Sequence, residues 1–131
     1  KIYLSFLMNI FLNGIIELFL KITEMHKLFI FHSLADLGIA AKTRPVVIVS
    51  RYDANPPRVL VIYVPLTTQY RNSEYEVVLP NLKFLNQLSI ANVQGIASIP
   101  TARLERKLGD LPSDVMLQIK KAIIFALDLS L

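Results

Sequence analysis

The chain has 131 residues, enough for one domain with a modest core. It contains no cysteine, which excludes disulfides and thiolate metal sites and fits a reducing cytoplasm. Its 14 Lys and Arg against 10 Asp and Glu give a net charge of +4, a balance that leans toward a polyanionic partner such as RNA.

The first element is an apolar segment. Ile2 to Leu20 is interrupted only by Ser5, Asn9, Asn13, Gly14 and Glu17, and residues 1–31 hold five of the seven Phe. A membrane span needs roughly 20 apolar residues, but a mid-segment Glu17 with two Asn makes insertion costly, so a membrane partner is not expected. No small-residue cleavage site follows the apolar stretch, as a signal peptide requires. The composition shifts at Phe31/His32. We therefore divide the chain into a hydrophobic N-terminal segment, 1–31, and a domain, 32–131, with an altered or upstream start as the expected origin of the first part.

Beyond this boundary the text becomes punctuated. Pro45 to Val49 is a short apolar run opened by proline, which predicts a buried strand. Asp53 to Pro57 holds Asp, Asn and two prolines and predicts a turn. Val59 to Val64 predicts a second strand, closed by Pro65. Glu74 to Leu79 alternates, with Tyr75, Val77 and Leu79 inward and Glu74 and Glu76 outward and solvated. Ser89–Val93 and Leu104–Leu108 are further short strands. The C-terminal stretch predicts a helix: Asp110 or Ser113 caps it, Pro112 suits the first turn, and Asp114 favours the positive dipole end. Val115, Ile119, Ala122, Ile123 and Ala126 recur at helical spacing. Ile123, Ile124, Phe125 and Leu127 make its end apolar on several faces, and a homodimer would cover them. Short strands joined by proline-rich turns and closed by one helix imply a mainly β fold, a small twisted barrel with a helix packed on it.

The run Lys42-Thr43-Arg44-Pro45-Val46-Val47-Ile48-Val49-Ser50 resembles the RPVVIVS strand of the MazF/PemK toxin family. Val64-Pro65-Leu66-Thr67-Thr68 is similar to its PLTS strand end, Ser89 to Val93 to its SVVNV strand, Thr101 to Leu111 to its last turn and strand, and Val115 to Leu129 to its closing helix. The resemblance implies an SH3-like, CcdB/MazF-like barrel that forms a homodimer. It implies a sequence-preferring endoribonuclease toxin that cuts single-stranded RNA without metal or other cofactor, leaves a 2′,3′-cyclic phosphate and a 5′-hydroxyl, and is held by a cognate antitoxin. By position, Arg44 and Thr67 are the implied catalytic residues. A second expectation is an inactive relative that still binds antitoxin or RNA. The chain departs from the pattern before Leu34-Ala35-Asp36-Leu37, where Phe29 to Ser33 replace the usual opening strand, in a short Gly38–Thr43 loop, and at Gln94-Gly95.

The residues agree with this chemistry. An Arg fork matches phosphate oxygens, and Arg44 precedes a proline, where backbone freedom is low. The Thr67 hydroxyl can donate to a phosphate oxygen. Lys42, Arg44, Arg51, Arg58 and Arg71 stand against Asp53 alone, with Tyr52 and Tyr70 available to stack on unpaired bases. Lys42, Thr43, Arg51, Thr68, Gln69, Tyr70, Arg71 and Gln94 are the candidate RNA contacts. His26 and His32, the only histidines, precede the matched region, so no imidazole is expected in the barrel as general base. No His, Asp or Glu cluster has metal-ligand spacing.

Overall fold

The computed structural model describes residues 27–33 and 42–130, together with Ser5, Leu7, Met8, Ile10 and Phe11. Those five positions are helical and exposed. The readings of Ile2–Leu20 as a whole, of Leu34 to Leu37 and of the loop starting at Gly38 fall outside the described residues.

Seven strands are described: β1 (Lys27–Ser33), β2 (Lys42–Ile48), β3 (Leu60–Thr67), β4 (Glu76–Val78), β5 (Ile90–Asn92), β6 (Ala97–Pro100) and β7 (Leu104–Asp110). One helix, α1 (Ser113–Ala126), follows. The strands pair antiparallel in the order β4-β5-β3-β2-β1-β7, with β6 also on β3. This is the mainly β class with a C-terminal helix that the sequence predicts. Among the described residues the two ends of the order, β4 and β7, do not pair, so hydrogen bonds do not close the barrel.

The opening strand forms despite its foreign text. β1 runs in register with β2 from Leu28↔Val47 to Ser33↔Lys42 and pairs on its other edge with β7. The composition boundary at Phe31/His32 therefore falls inside a strand. A truncation made there would remove most of β1 and strip both neighbours of a partner.

β3 is held on both edges and changes partner midway. Its first half, Leu60 to Tyr63, pairs with β6; Tyr63 to Pro65 pairs with β2; Leu66 and Thr67 pair with β5. Pro65 has no N–H to donate and sits where one edge passes from β6 to β5. A 3-10 turn, Val93–Gly95, fills that gap. It lies so close that a Cβ on Gly95 would come within 2.6 Å of Pro65 Cγ, so only glycine fits this approach without a shift.

Alternation along β2 and β3 separates two clusters. Val47, Val64 and Leu66 face α1, whose Val115, Met116, Ile119 and Ala122 close the main core with Val77, Leu79, Ala91 and Val93. Val46, Ile48 and Tyr63 face the opposite side and pack with Val61, Ile99 and Leu104. The helix starts differently from its predicted cap. Pro112 occupies the N-cap with no side-chain bond to the first turn, and Asp110 ends β7 with its carboxylate 2.7 Å from Lys107 Nζ. Leu117, Phe125, Leu127 and Leu129 remain about half exposed.

Ile119 is wholly buried between helix and sheet. Replacing it with Ala removes three carbons from a packed site, and Ile119→Ala is expected to lower unfolding free energy by about 2–5 kcal/mol, read from urea denaturation. A loss under about 1 kcal/mol would mean that α1 is not packed as described.

Candidate nucleic-acid interface

The β2–β3 register is Ile48↔Tyr63, Val47↔Val64 and Val46↔Pro65. The paired stretch ends at Val46↔Pro65, and Arg44 and Thr67 each lie two residues beyond it, at the same end of neighbouring strands. By alternation along each strand Arg44 takes the phase of Val46, and Thr67 that of Pro65 and Tyr63. The shared face is that of Val46 and Tyr63, away from α1. Arg44 is exposed and Thr67 half-buried. Arg44 has no ion pair among the described residues. The Thr67 hydroxyl oxygen accepts from the Gln69 backbone N–H at 3.2 Å, which leaves its proton to donate elsewhere.

The other sequence-predicted contacts divide by position. Lys42 and Thr43 lie on β2 just before Arg44, opposite Ser33 and His32 of β1. Thr68, Gln69, Tyr70 and Arg71 are exposed in the loop that leaves β3 at Thr67. Gln94 is exposed in the 3-10 turn that packs beside Pro65, held by its N–H to Asn92 Oδ1 at 3.2 Å. These positions gather around the Arg44–Thr67 end of the two strands. Arg51, Tyr52 and Arg58 belong to the loop at the other end, beyond Ile48 and before Leu60. Six residues lie between Arg44 and Arg51, which in extended chain is about 20 Å. The sequence reading grouped these cations, whereas the strands set them at opposite ends of one face.

Sequence reasoning missed two features. His32 does enter the sheet, within β1, although the partner of Arg44 there is Phe31. Glu76, expected to be solvated, is half-buried and bonded. Its carboxylate accepts from Ser73 Oγ at 2.6 Å, Ser73 N–H at 3.2 Å and Arg71 N–H at 3.1 Å. The Ser73 hydroxyl bond lowers its pKa most; desolvation, next in size, opposes it, and the Arg71 and Ser73 amides and the Arg71 charge add to the lowering. The Ser-x-x-Glu spacing of Ser73 and Glu76 is the signal that could have found it. A groove of about 530 Å³ opens between β4 and α1, lined in part by Tyr70, Glu76, Lys121 and Phe125; it excludes Arg44 and Thr67. Among the described residues no His, Asp and Glu group could hold a metal ion, and no helix is long and apolar enough to cross a membrane.

Comparison with known proteins decides the family. Residues 33–127 match the description "PemK-like, MazF-like toxin of type II toxin-antitoxin system". The chain belongs to the PemK/MazF toxin family. A Mycobacterium tuberculosis relative named endoribonuclease MazF3 is 33% identical over 88 residues, 67% of this chain and 85% of that protein. The solved structure of M. tuberculosis toxin MazF-mt6 is 28% identical, with a TM-score of 0.68 covering 80% of this chain and 99% of that one. A mycobacterial endoribonuclease solved with its cognate antitoxin shares the fold at TM-score 0.67 and 24% identity, over 80% of this chain and 94% of that one. The PemK/MazF match begins at residue 33, the last residue of β1.

Because the Glu76 pKa is lowered on folding, its contribution is full above the ordinary carboxylate range and is lost as pH falls through the lowered value. Amide exchange at Arg71 and Ser73 should stay protected at neutral pH and accelerate only below that range. Protection that fades near neutrality would contradict the assignment.

Proposed function

We propose that this MazF-type endoribonuclease toxin cuts single-stranded RNA at preferred sequences without a metal, with Arg44 and Thr67 as its catalytic pair. What supports the reading is the β2–β3 register, whose paired stretch ends at Val46↔Pro65 and leaves Arg44 and Thr67 two residues on at the same end of neighbouring strands, in the phase that faces away from α1.

In this reading the ribose 2′-hydroxyl attacks the adjacent phosphorus. The O2′–P bond forms, the P–O5′ bond breaks, the 2′ proton leaves, and O5′ takes up a proton to end as a 5′-hydroxyl beside a 2′,3′-cyclic phosphate. Negative charge peaks on the non-bridging oxygens of the five-coordinate phosphorus. A guanidinium stabilises that charge with paired N–H donors, which matters most when the donors are already in place. Thr67 adds a neutral donor, since its oxygen is engaged by Gln69 N–H. Lys42 and Thr43 precede Arg44 on the strand, and Thr68, Gln69, Tyr70, Arg71 and Gln94 supply cations, amides and one ring to the flanking nucleotides. Arg51, with Tyr52 and Arg58, offers a separate electrostatic contact farther along the strand.

The same reading gives the chain a cognate antitoxin that covers this face and a second copy that covers the half-exposed Leu117, Phe125, Leu127 and Leu129 of α1. It assigns the chain to the cytoplasm, where messenger RNA is available.

RNA cleavage is expected to persist in excess chelator, and Arg44→Ala is expected to reduce kcat by about 10²–10³-fold while the unfolding midpoint holds. The assay uses an RNA oligonucleotide and its all-deoxy counterpart, which must remain intact. Cleavage abolished by chelator, or undiminished in Arg44→Ala, would overturn the proposal; complex formation with antitoxin and no cleavage would instead favour an inactive relative.

A further inference from the structure

Resting on the nuclease reading above, we infer that Glu76 is a positioning residue that holds residues 68–73 as a preformed RNA-contacting loop. Glu76 opens β4, and the chain between Thr67 and it is exposed for most of its length. Few bonds shape that loop. At one end Gln69 N–H donates to the Thr67 hydroxyl, and in the middle Tyr70 Oη donates to Asn72 Oδ1 at 2.9 Å. Asn72 adopts a φ of 54°, a left-handed conformation that needs support from its surroundings. At the far end one carboxylate collects three donors, from Arg71 and Ser73. The residues on either side of Asn72 are therefore tied to one group.

The chemistry of that group argues for holding rather than contact. A carboxylate facing RNA would repel phosphates, yet this one bonds the Arg71 N–H and lines a groove with Tyr70, two of the candidate RNA contacts. Its oxygens are turned inward, onto loop amides and a hydroxyl, where those dipoles absorb the charge. Fixing a loop before binding removes the ordering cost that a free loop would pay on meeting its ligand. The benefit then appears in affinity for RNA, while the Arg44–Thr67 pair, held by the strands themselves, keeps its rate.

The test compares full-length Glu76→Ala, Glu76→Gln and Ser73→Ala with the unaltered chain. Glu76→Ala should raise KM for a cleaved RNA about tenfold with kcat within about twofold. Glu76→Gln retains one carbonyl acceptor and should recover most of the loss; Ser73→Ala should fall between. The Kd for a 2′-deoxy-substituted oligonucleotide, which cannot cyclise, should rise in step with KM. An unchanged KM and Kd in a Glu76→Ala protein that still unfolds cooperatively overturns the inference, as does a loss carried by kcat alone. If the unaltered chain cuts no RNA, the nuclease proposal fails, and the part of Glu76 is judged on Kd for single-stranded RNA, where no change overturns it.

Discussion

β3 carries structure to either side: β6 and then β5 along one edge, β2 along the other, with the 3-10 turn seated against Pro65 in between. A strand bonded on both edges has little freedom to slide, because a one-residue slip would swap its buried and exposed faces. Val64 and Leu66 would then leave the helix-facing core, and Tyr63 would leave the smaller cluster. The same register that keeps these side chains buried keeps Arg44 and Thr67 at one end of neighbouring strands. On the proposed reading, catalytic geometry in this fold is a by-product of core packing.

Much of this was legible beforehand, and the reasons differ by element. β2 and β3 announce themselves as β-branched runs beside prolines, and Val77 and Leu79 keep the inward phase that alternation assigns. The helix follows its apolar repeat at Val115, Ile119 and Ala122, although Met116 joins the core as well. β6 was not legible: Ala97-Ser98-Ile99-Pro100 has one buried residue and ends in proline, so no pattern distinguishes it from a loop. The missing side-chain cap on α1 reflects a tertiary choice. Asp110 is drawn into β7 opposite Lys27, where it meets Lys107 and cannot also turn to the helix.

For the interface, residue types could be named from sequence but their grouping could not. Pairing register is a long-range property, and nothing in the text from Lys42 to Arg71 says which cations share an end of a strand. Glu76 fails for a local reason. Alternation predicts its outward phase, but a carboxylate three residues after a serine finds donors in its own loop, a competition that period-2 reasoning ignores.

The place of β1 bears on how the molecule assembles. Leu28 to Phe31 meet one partner, β2, a short way along the chain and the other, β7, much farther on. Closing so long a loop is entropically slow, so the β1–β7 seam belongs to the last stage of folding. Among the described strands β1 is synthesised first, and its second edge waits for β7. The edge that waits unpaired thus belongs to a strand whose text lies almost wholly outside the family match.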